Sequence, residues 1–174
     1  MVPPRTHDPR IRLATNVDLS ALMAAPWSSG LPEKHRDRFE RQVRGETAYL
    51  LAEVDGAIIG HLLLKWDGPS DEPVRSLLPP CVEIEDFVVE LELRSRGIGA
   101  MLLAHAAKMT RERGLTRLGL AVGIGNTRAR SLYERSGFTA ADIPEFDVRW
   151  QYRAPDGSLR WEGERCIYMV KVLV

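Results

Sequence analysis

Apolar residues recur at two spacings along this chain, every second position in some runs and every third or fourth in others. The run IRLAT (11–15) alternates as a short strand. NVDLSALMAAPW (16–27) has helical spacing, with Asn16 or Asp18 to cap its free amides, and Pro26 and Gly30 end it. PEKHRDRFERQVRG (32–45) predicts a charged helix whose thin apolar contact is Phe39 with Val43, stopped by Gly45. TAYLLAEV and AIIGHLLLKW flank the pair Asp55-Gly56, which predicts a hairpin with a two-residue turn. DGPSDEPVRSLLPP (67–80) reads as a loop, and CVEIEDFVV (81–89) as a third strong strand.

A helix follows from LRSRGIGAMLLAHAAK (93–108) to a stop at Gly114, and then a buried-looking strand, RLGLAV (117–122). The turn GIG leads into NTRARSLYERSGF (126–138), where Asn126 fits an N-cap and Gly137 the residue after the helix. Two more alternating runs, 145–153 and 158–174, hinge at Pro155-Asp156-Gly157. The order β-α-α-β-β-β-α-β-α-β-β predicts one α/β domain over 1–174 with a mixed sheet. The step from 81–89 through the helix to 117–122 should be a right-handed parallel crossover.

Composition narrows this little. The 174 residues carry 24 Lys+Arg against 24 Asp+Glu, so no global basic field points to nucleic acid or an anionic membrane. Cys81 and Cys166 are too few for a disulfide framework, which suggests reduced thiols in a cytoplasm. No apolar run approaches a membrane span, and the start MVPPRTHDPR lacks the apolar core of a secretory signal.

The chemistry concentrates at the mouth of the 93–108 helix. A strand-to-helix turn offers free N–H groups and a positive helix end, which together make an anion site. Gly97 and Gly99 let a phosphate approach the backbone, and Arg94 and Arg96 add charge. The dinucleotide fingerprint fails, because Leu102 stands where its third glycine belongs. A P-loop fails too, because no glycine precedes Lys-Ser or Lys-Thr.

RSRGIG resembles the R/Q-x-x-G-x-G/A signature of the Gcn5-related N-acetyltransferases, the GNAT superfamily. The likeness extends over 81–122 and into 126–138, where Asn126, Ala129, Tyr133, Gly137 and Phe138 match the family's following segment. The resemblance implies a GNAT fold: a mixed, mostly antiparallel sheet with a central parallel β-α-β crossover, flanked by helices. Core motifs would span about 81–138, with a C-terminal strand pair at about 145–174. Acetyl-coenzyme A is the implied cosubstrate. The backbone of Arg96, Gly97, Ile98, Gly99, Ala100 and Met101 would line its pyrophosphate, beside Arg94. Phe87, Val88 and Val89 would pair with the pantetheine arm, and Asn126 would reach the cofactor. Arg128 and Arg130 read as solvated helix-surface residues.

Acetyl transfer needs an amine without its proton and a proton for the leaving thiolate. A free thiol near 8.5 and a tyrosine near 10 make donation only slightly uphill. The matching family position assigns that role to Tyr133. IEDFVV looks like a stretch of the polyamine acetyltransferases whose Glu, at the position of Glu85, is the proposed base. Alternation puts Glu83, Glu85 and Phe87 on one face of the strand and Ile84, Asp86 and Val88 on the other, unless a bulge intervenes. Burial and repulsion from Glu83 could raise the pKa of Glu85. Glu83, Glu85 and Asp86, with Trp27 between the first two helices, form the expected acceptor site. His7, His35, His61 and His105 show no metal-ligand spacing.

The leading expectation is transfer to a primary amine of a small, cationic, polyamine-like molecule. A protein amine or an aminoglycoside-type antibiotic is the alternative acceptor, and a coenzyme A-binding module without turnover is the alternative class. The aromatic tail could complete the sheet or build a homodimer.

Overall fold

The computed structural model describes residues 8–28 and 30–174, so His7 and the first seven residues of the opening segment lie outside the described residues. Eight strands form one sheet in the order β1-β2-β3-β4-β5-β8-β6, with β7 on β8. They are β1 (Arg10–Leu13), β2 (Thr47–Val54), β3 (Ala57–Lys65), β4 (Val82–Val89), β5 (Arg117–Gly123), β6 (Thr139–Ala140), β7 (Phe146–Arg153) and β8 (Leu159–Val172). Among the described residues only β4 and β5 pair in parallel; the other pairings are antiparallel. The helices are α1 (Leu19–Ala24), α2 (Lys34–Val43), α3 (Glu72–Leu77), α4 (Ile98–Glu112) and α5 (Thr127–Arg135).

The β2–β3 turn takes positive φ at Asp55 (50°) and Gly56 (77°), the geometry that a two-residue hairpin demands. Even-numbered positions of β2 and β3, such as Leu50, Leu62 and Leu64, join the main core with Leu102, Leu103, Ala106 and Ala107 of α4. Odd-numbered Tyr49, Leu51 and Leu63 face the other way, in a second cluster with Leu22 of α1. Period-two strands between two helical layers account for both cores.

Three expectations change. The segment 67–80 holds a short helix, α3, whose Pro73 stands in its first turn, where a missing N–H costs nothing. Val43 is 71% exposed; α2 instead buries His35, with Phe39 against the second cluster. Gln42 supplies the polar contact that periodicity could not show, donating to the Ala14 carbonyl and accepting from the Tyr49 amide. The third change concerns β4. Leu63 faces Glu85 but His61 faces Val88, so three residues of β4 span two of β3. The extra residue is a bulge, and Asp86 within it has φ of 45°.

Candidate active site

β4 and β5 pair only from Val82↔Leu118 to Ile84↔Leu120. Beyond Ile84 the β4 edge facing β5 has no strand partner, and a cleft of about 500 Å³ opens there. It is walled by Phe87 and Val89 of β4, by Leu93 to Ser95 and Gly97 to Ala100 at the start of α4, and by Asn126, Ala129, Leu132 and Tyr133 of α5 and its cap. Gly97 sits at φ of 81°, where an L-residue would be strained. A Cβ on Gly99 would stand 3.0 Å from Leu132 Cδ2 and 3.3 Å from Phe87 Cζ, so glycine there keeps the cleft open. No side chain caps α4, which leaves its first amides to whatever occupies the mouth. The Met101 amide is already bonded to the Gly97 carbonyl, so the available amides stop at Ala100.

Tyr133 lines this cleft with its ring 6.1 Å from both Phe87 and Phe138. Burial, with a smaller contribution from Glu164, pushes its hydroxyl up to about 12. The Glu164 carboxylate, on β8, lies over Gly123, where any Cβ would collide with it. Gly123 and Glu164 meet only through the β5–β8 pairing, about forty residues apart in sequence, so local pattern carries no sign of this charge.

The bulge reassigns the faces of β4. Glu83 and Glu85 keep the face opposite the cleft, but Asp86 joins them and Phe87 turns to the cleft side. Asp86 pairs with Arg38 and, at 3.0 Å, with Lys34, and lies 3.5 Å from His61 Nδ1. These cations outweigh the cost of burial and hold Asp86 down to about 2. They also hold a non-glycine residue in the left-handed region, a strained conformation of the kind found at functional sites. Lys65 Nζ lies 3.1 Å from Glu85 and 3.4 Å from Glu83 and donates to Ser70 Oγ, which uses its three hydrogens. Glu83 is buried at 3% exposure, and burial together with Glu85 raises its pKa well above the carboxylate range. Burial likewise raises Asp71, on the loop before α3.

Phe87, Val89, Arg94, Gly97, Ile98, Gly99, Ala100, Asn126 and Tyr133 therefore converge on one cleft. Val88, Arg96 and Met101 do not line it, since Val88 shares the His61 side of the sheet. Asn126 caps α5, accepting from the Ala129 amide at 3.2 Å. Arg94 Nε is bonded to the Val89 carbonyl at 2.9 Å. Arg128, read as solvated, lines the cleft and donates to Ser95 Oγ at 2.9 Å. Trp27 lies on the other face, its ring 5.6 Å from that of His61. A second cleft of about 330 Å³, under α3 and Pro79–Pro80, gathers none of the expected residues. Among the described residues no His, Cys, Asp or Glu cluster is placed to hold a metal, and no helix is long and apolar enough to cross a membrane.

A parallel strand pair that opens beside a glycine-started helix is the arrangement that the sequence resemblance led one to expect. Residues 16–138 match the acetyltransferase (GNAT) family, and the chain belongs to it. A mycothiol acetyltransferase from Cellulomonas flavigena is 30% identical over 139 residues, covering 79% of this chain and 35% of that protein. The chain spans less than half the length of the next two curated relatives as well. A ribosomal-protein-alanine N-acetyltransferase from Brucella melitensis, 26% identical, superposes with a TM-score of 0.67 over 94% of this chain and 99% of that one. An acetyltransferase-fold protein from Salmonella typhimurium, solved with its cofactor acetyl-CoA, is 21% identical with a TM-score of 0.66 over 95% and 94% of the two chains. That last likeness shows the fold.

Proposed function

We propose that this protein moves an acetyl group directly from acetyl-coenzyme A to a primary amine of a small cationic molecule, polyamine-like in its simplest form. One observation carries the reading: Tyr133 and Glu85 stand on opposite sides of β4 at the gap where it leaves β5. The open cleft and free amides fit an elongated phosphate-bearing molecule, held at its pyrophosphate by the backbone of Gly97 to Ala100. Arg94, Arg128 and Asn126 stand beside it, and the open β4 edge would pair with the pantetheine arm. Acetyl-coenzyme A supplies the acetyl thioester.

Glu85 is the base, directly or through a water. Lys65 carries one positive charge among Glu83, Glu85 and Asp71, and burial together with the charge of Glu85 favours the protonated form of Glu83 despite Lys65. The patch then keeps one net negative charge, enough to attract one ammonium beside Glu85. Asp86, committed to Lys34 and Arg38, shapes the wall rather than meeting the amine. Tyr133 stays protonated across the working range. Giving that proton to a free thiolate near 8.5 costs roughly 5 kcal/mol, so Tyr133 acts as the C–S bond breaks rather than before.

A protein α-amine is the second reading, favoured by the single uncompensated charge and by the likeness to the Brucella melitensis enzyme. The buried free thiols of Cys81 and Cys166 fit a cytoplasmic setting. Exposed Leu159 and Trp161 on β8 fit pairing of two copies. Thiol release from acetyl-coenzyme A, followed across a polyamine, a monoamine, an α-amine peptide and an aminoglycoside, tests the reading. Cofactor binding without release on any of them would instead support a binding module.

A further inference from the structure

The mechanism leaves unused a line of buried polar side chains beneath the α1–α2 connection. His35 Nδ1 and the Tyr49 hydroxyl are 2.6 Å apart. His35 Nε2 lies 3.2 Å from Ser28 Oγ, which lies 2.8 Å from His61 Nε2. His61 Nδ1 lies 2.8 Å from the backbone carbonyl of Asp86, inside the β4 bulge. Tyr49, His35 and His61 are at most 1% exposed, whereas Ser28 is half-buried and sits next to Trp27.

Donor and acceptor chemistry orients every bond in this line. A carbonyl only accepts, so His61 carries its hydrogen on Nδ1 and offers a lone pair at Nε2. The Ser28 hydroxyl must donate to that lone pair, which uses its single hydrogen. His35 then donates from Nε2 to Ser28 Oγ, and its Nδ1 accepts from Tyr49. Arg38, a donor-only group beside the Tyr49 hydroxyl, favours the same direction. The assignment requires both imidazoles to be neutral. Burial, with Lys34 and Arg38 nearby, holds His35 at about 3 and His61 at about 4 against the opposing pull of Asp86.

A hydroxyl locked in this way has no hydrogen left for a ligand, but it keeps a lone pair. Through His61, Ser28 is linked to the carbonyl of Asp86, the residue after Glu85, on a connection tied to β7 by the 3.4 Å Arg153–Glu33 pair. We infer that Ser28 is an acceptor-binding residue that takes one N–H of the amine, with its polarity imposed by His35 and His61. This inference rests on the acetyltransferase reading. It identifies what would favour an amine over an isostere that only accepts hydrogen bonds: such a group would meet lone pair against lone pair. A primary amine has one N–H for Ser28 and another proton for Glu85.

Two measurements on the full chain test it. Nitrogen-15 NMR of the histidine rings should show neutral His61 protonated on Nδ1 and neutral His35 on Nε2 from pH 6 to 9. The opposite tautomer at His61 would overturn the assignment. In steady-state kinetics, Ser28→Ala should raise KM for the best amine about tenfold, the size of one lost hydrogen bond, with kcat and KM for acetyl-coenzyme A unchanged. Its preference for the amine over the matched methyl ether as a competitive inhibitor should fall by a similar factor. Ser28→Thr keeps the hydroxyl and should restore KM, which separates recognition from a disturbed fold. An active wild type with unchanged KM in Ser28→Ala sinks the role of Ser28 alone. A wild type inert on every amine removes the acetyltransferase reading and this inference with it.

Discussion

On the cleft side of β4, Phe87 and Val89 look onto a helix start whose binding groups are backbone amides. On the other side, Glu83, Glu85 and Asp86 meet Lys65 of β3, Lys34 and Arg38 of α2, and Ser70 and Asp71 of the α3 loop. On the first surface the turn itself comes from one contiguous stretch of chain, with α5 closing the far wall, and depends on the conformational freedom of two glycines. The second draws on side chains about fifty residues apart and depends on how their charges cancel. A binding surface made of backbone tolerates changes in side chains, whereas one made of compensated charges fails when a single partner goes.

The largest effect should follow from breaking that compensation. Asp86→Asn leaves Lys34 and Arg38 facing each other without their carboxylate, and should cost about 2–4 kcal/mol of stability in urea unfolding. Asp86 has a depressed pKa, so its contribution is complete above the unfolded value near 3.9 and is lost as pH falls through about 2. Wild-type stability should therefore drop over that window more steeply than the variant's.

Next come the two residues proposed to handle protons, one on each side. Tyr133→Phe and Glu85→Gln should each lower kcat roughly 10²-fold with acetyl-coenzyme A binding retained. Wild-type turnover by either variant would remove that residue from the chemistry.

A smaller effect is expected at the glycine turn. Gly99→Val places its branched side chain between Phe87 and Leu132, and should raise KM for acetyl-coenzyme A by about tenfold while leaving KM for the amine alone. A change in the amine KM instead would mean that the two sides of β4 are not separable.

Glu83→Gln should do least. The amide resembles the protonated acid already present, so kcat near neutrality should stay within about threefold. Stability should respond to pH. Because the Glu83 pKa is raised on folding, its contribution is complete below the unfolded value near 4.3 and is lost as pH rises through the folded value. Thermal melts should show the variant gaining on wild type between about pH 5 and 9, and parallel melts would refute a protonated Glu83.

The chain order of strands and helices apart from α3 and the two-residue β6, the Asp55-Gly56 hairpin, the α4 glycine turn, and the Asn126 and Gly137 boundaries of α5 were legible from local pattern. Each is a short-range preference: a hydrophobic period, a φ that only glycine takes easily, a cap within one turn. The β4 bulge was not legible, because one extra residue in a ladder leaves no mark on alternation until its partner strand is known. With it went the side on which Asp86 and Phe87 lie, and the pairing of Asp86 with Lys34 and Arg38.

Sequence alone thus determined the glycine turn proposed to hold a phosphate-bearing cosubstrate, since that turn is a property of backbone within a dozen consecutive residues. Tertiary structure decided the face proposed for the acceptor: which carboxylate is pushed towards its protonated form, which is neutralised, and that Ser28 lies between two buried histidines. Those outcomes depend on burial and on distances between groups far apart along the chain, quantities that exist only once the sheet has closed.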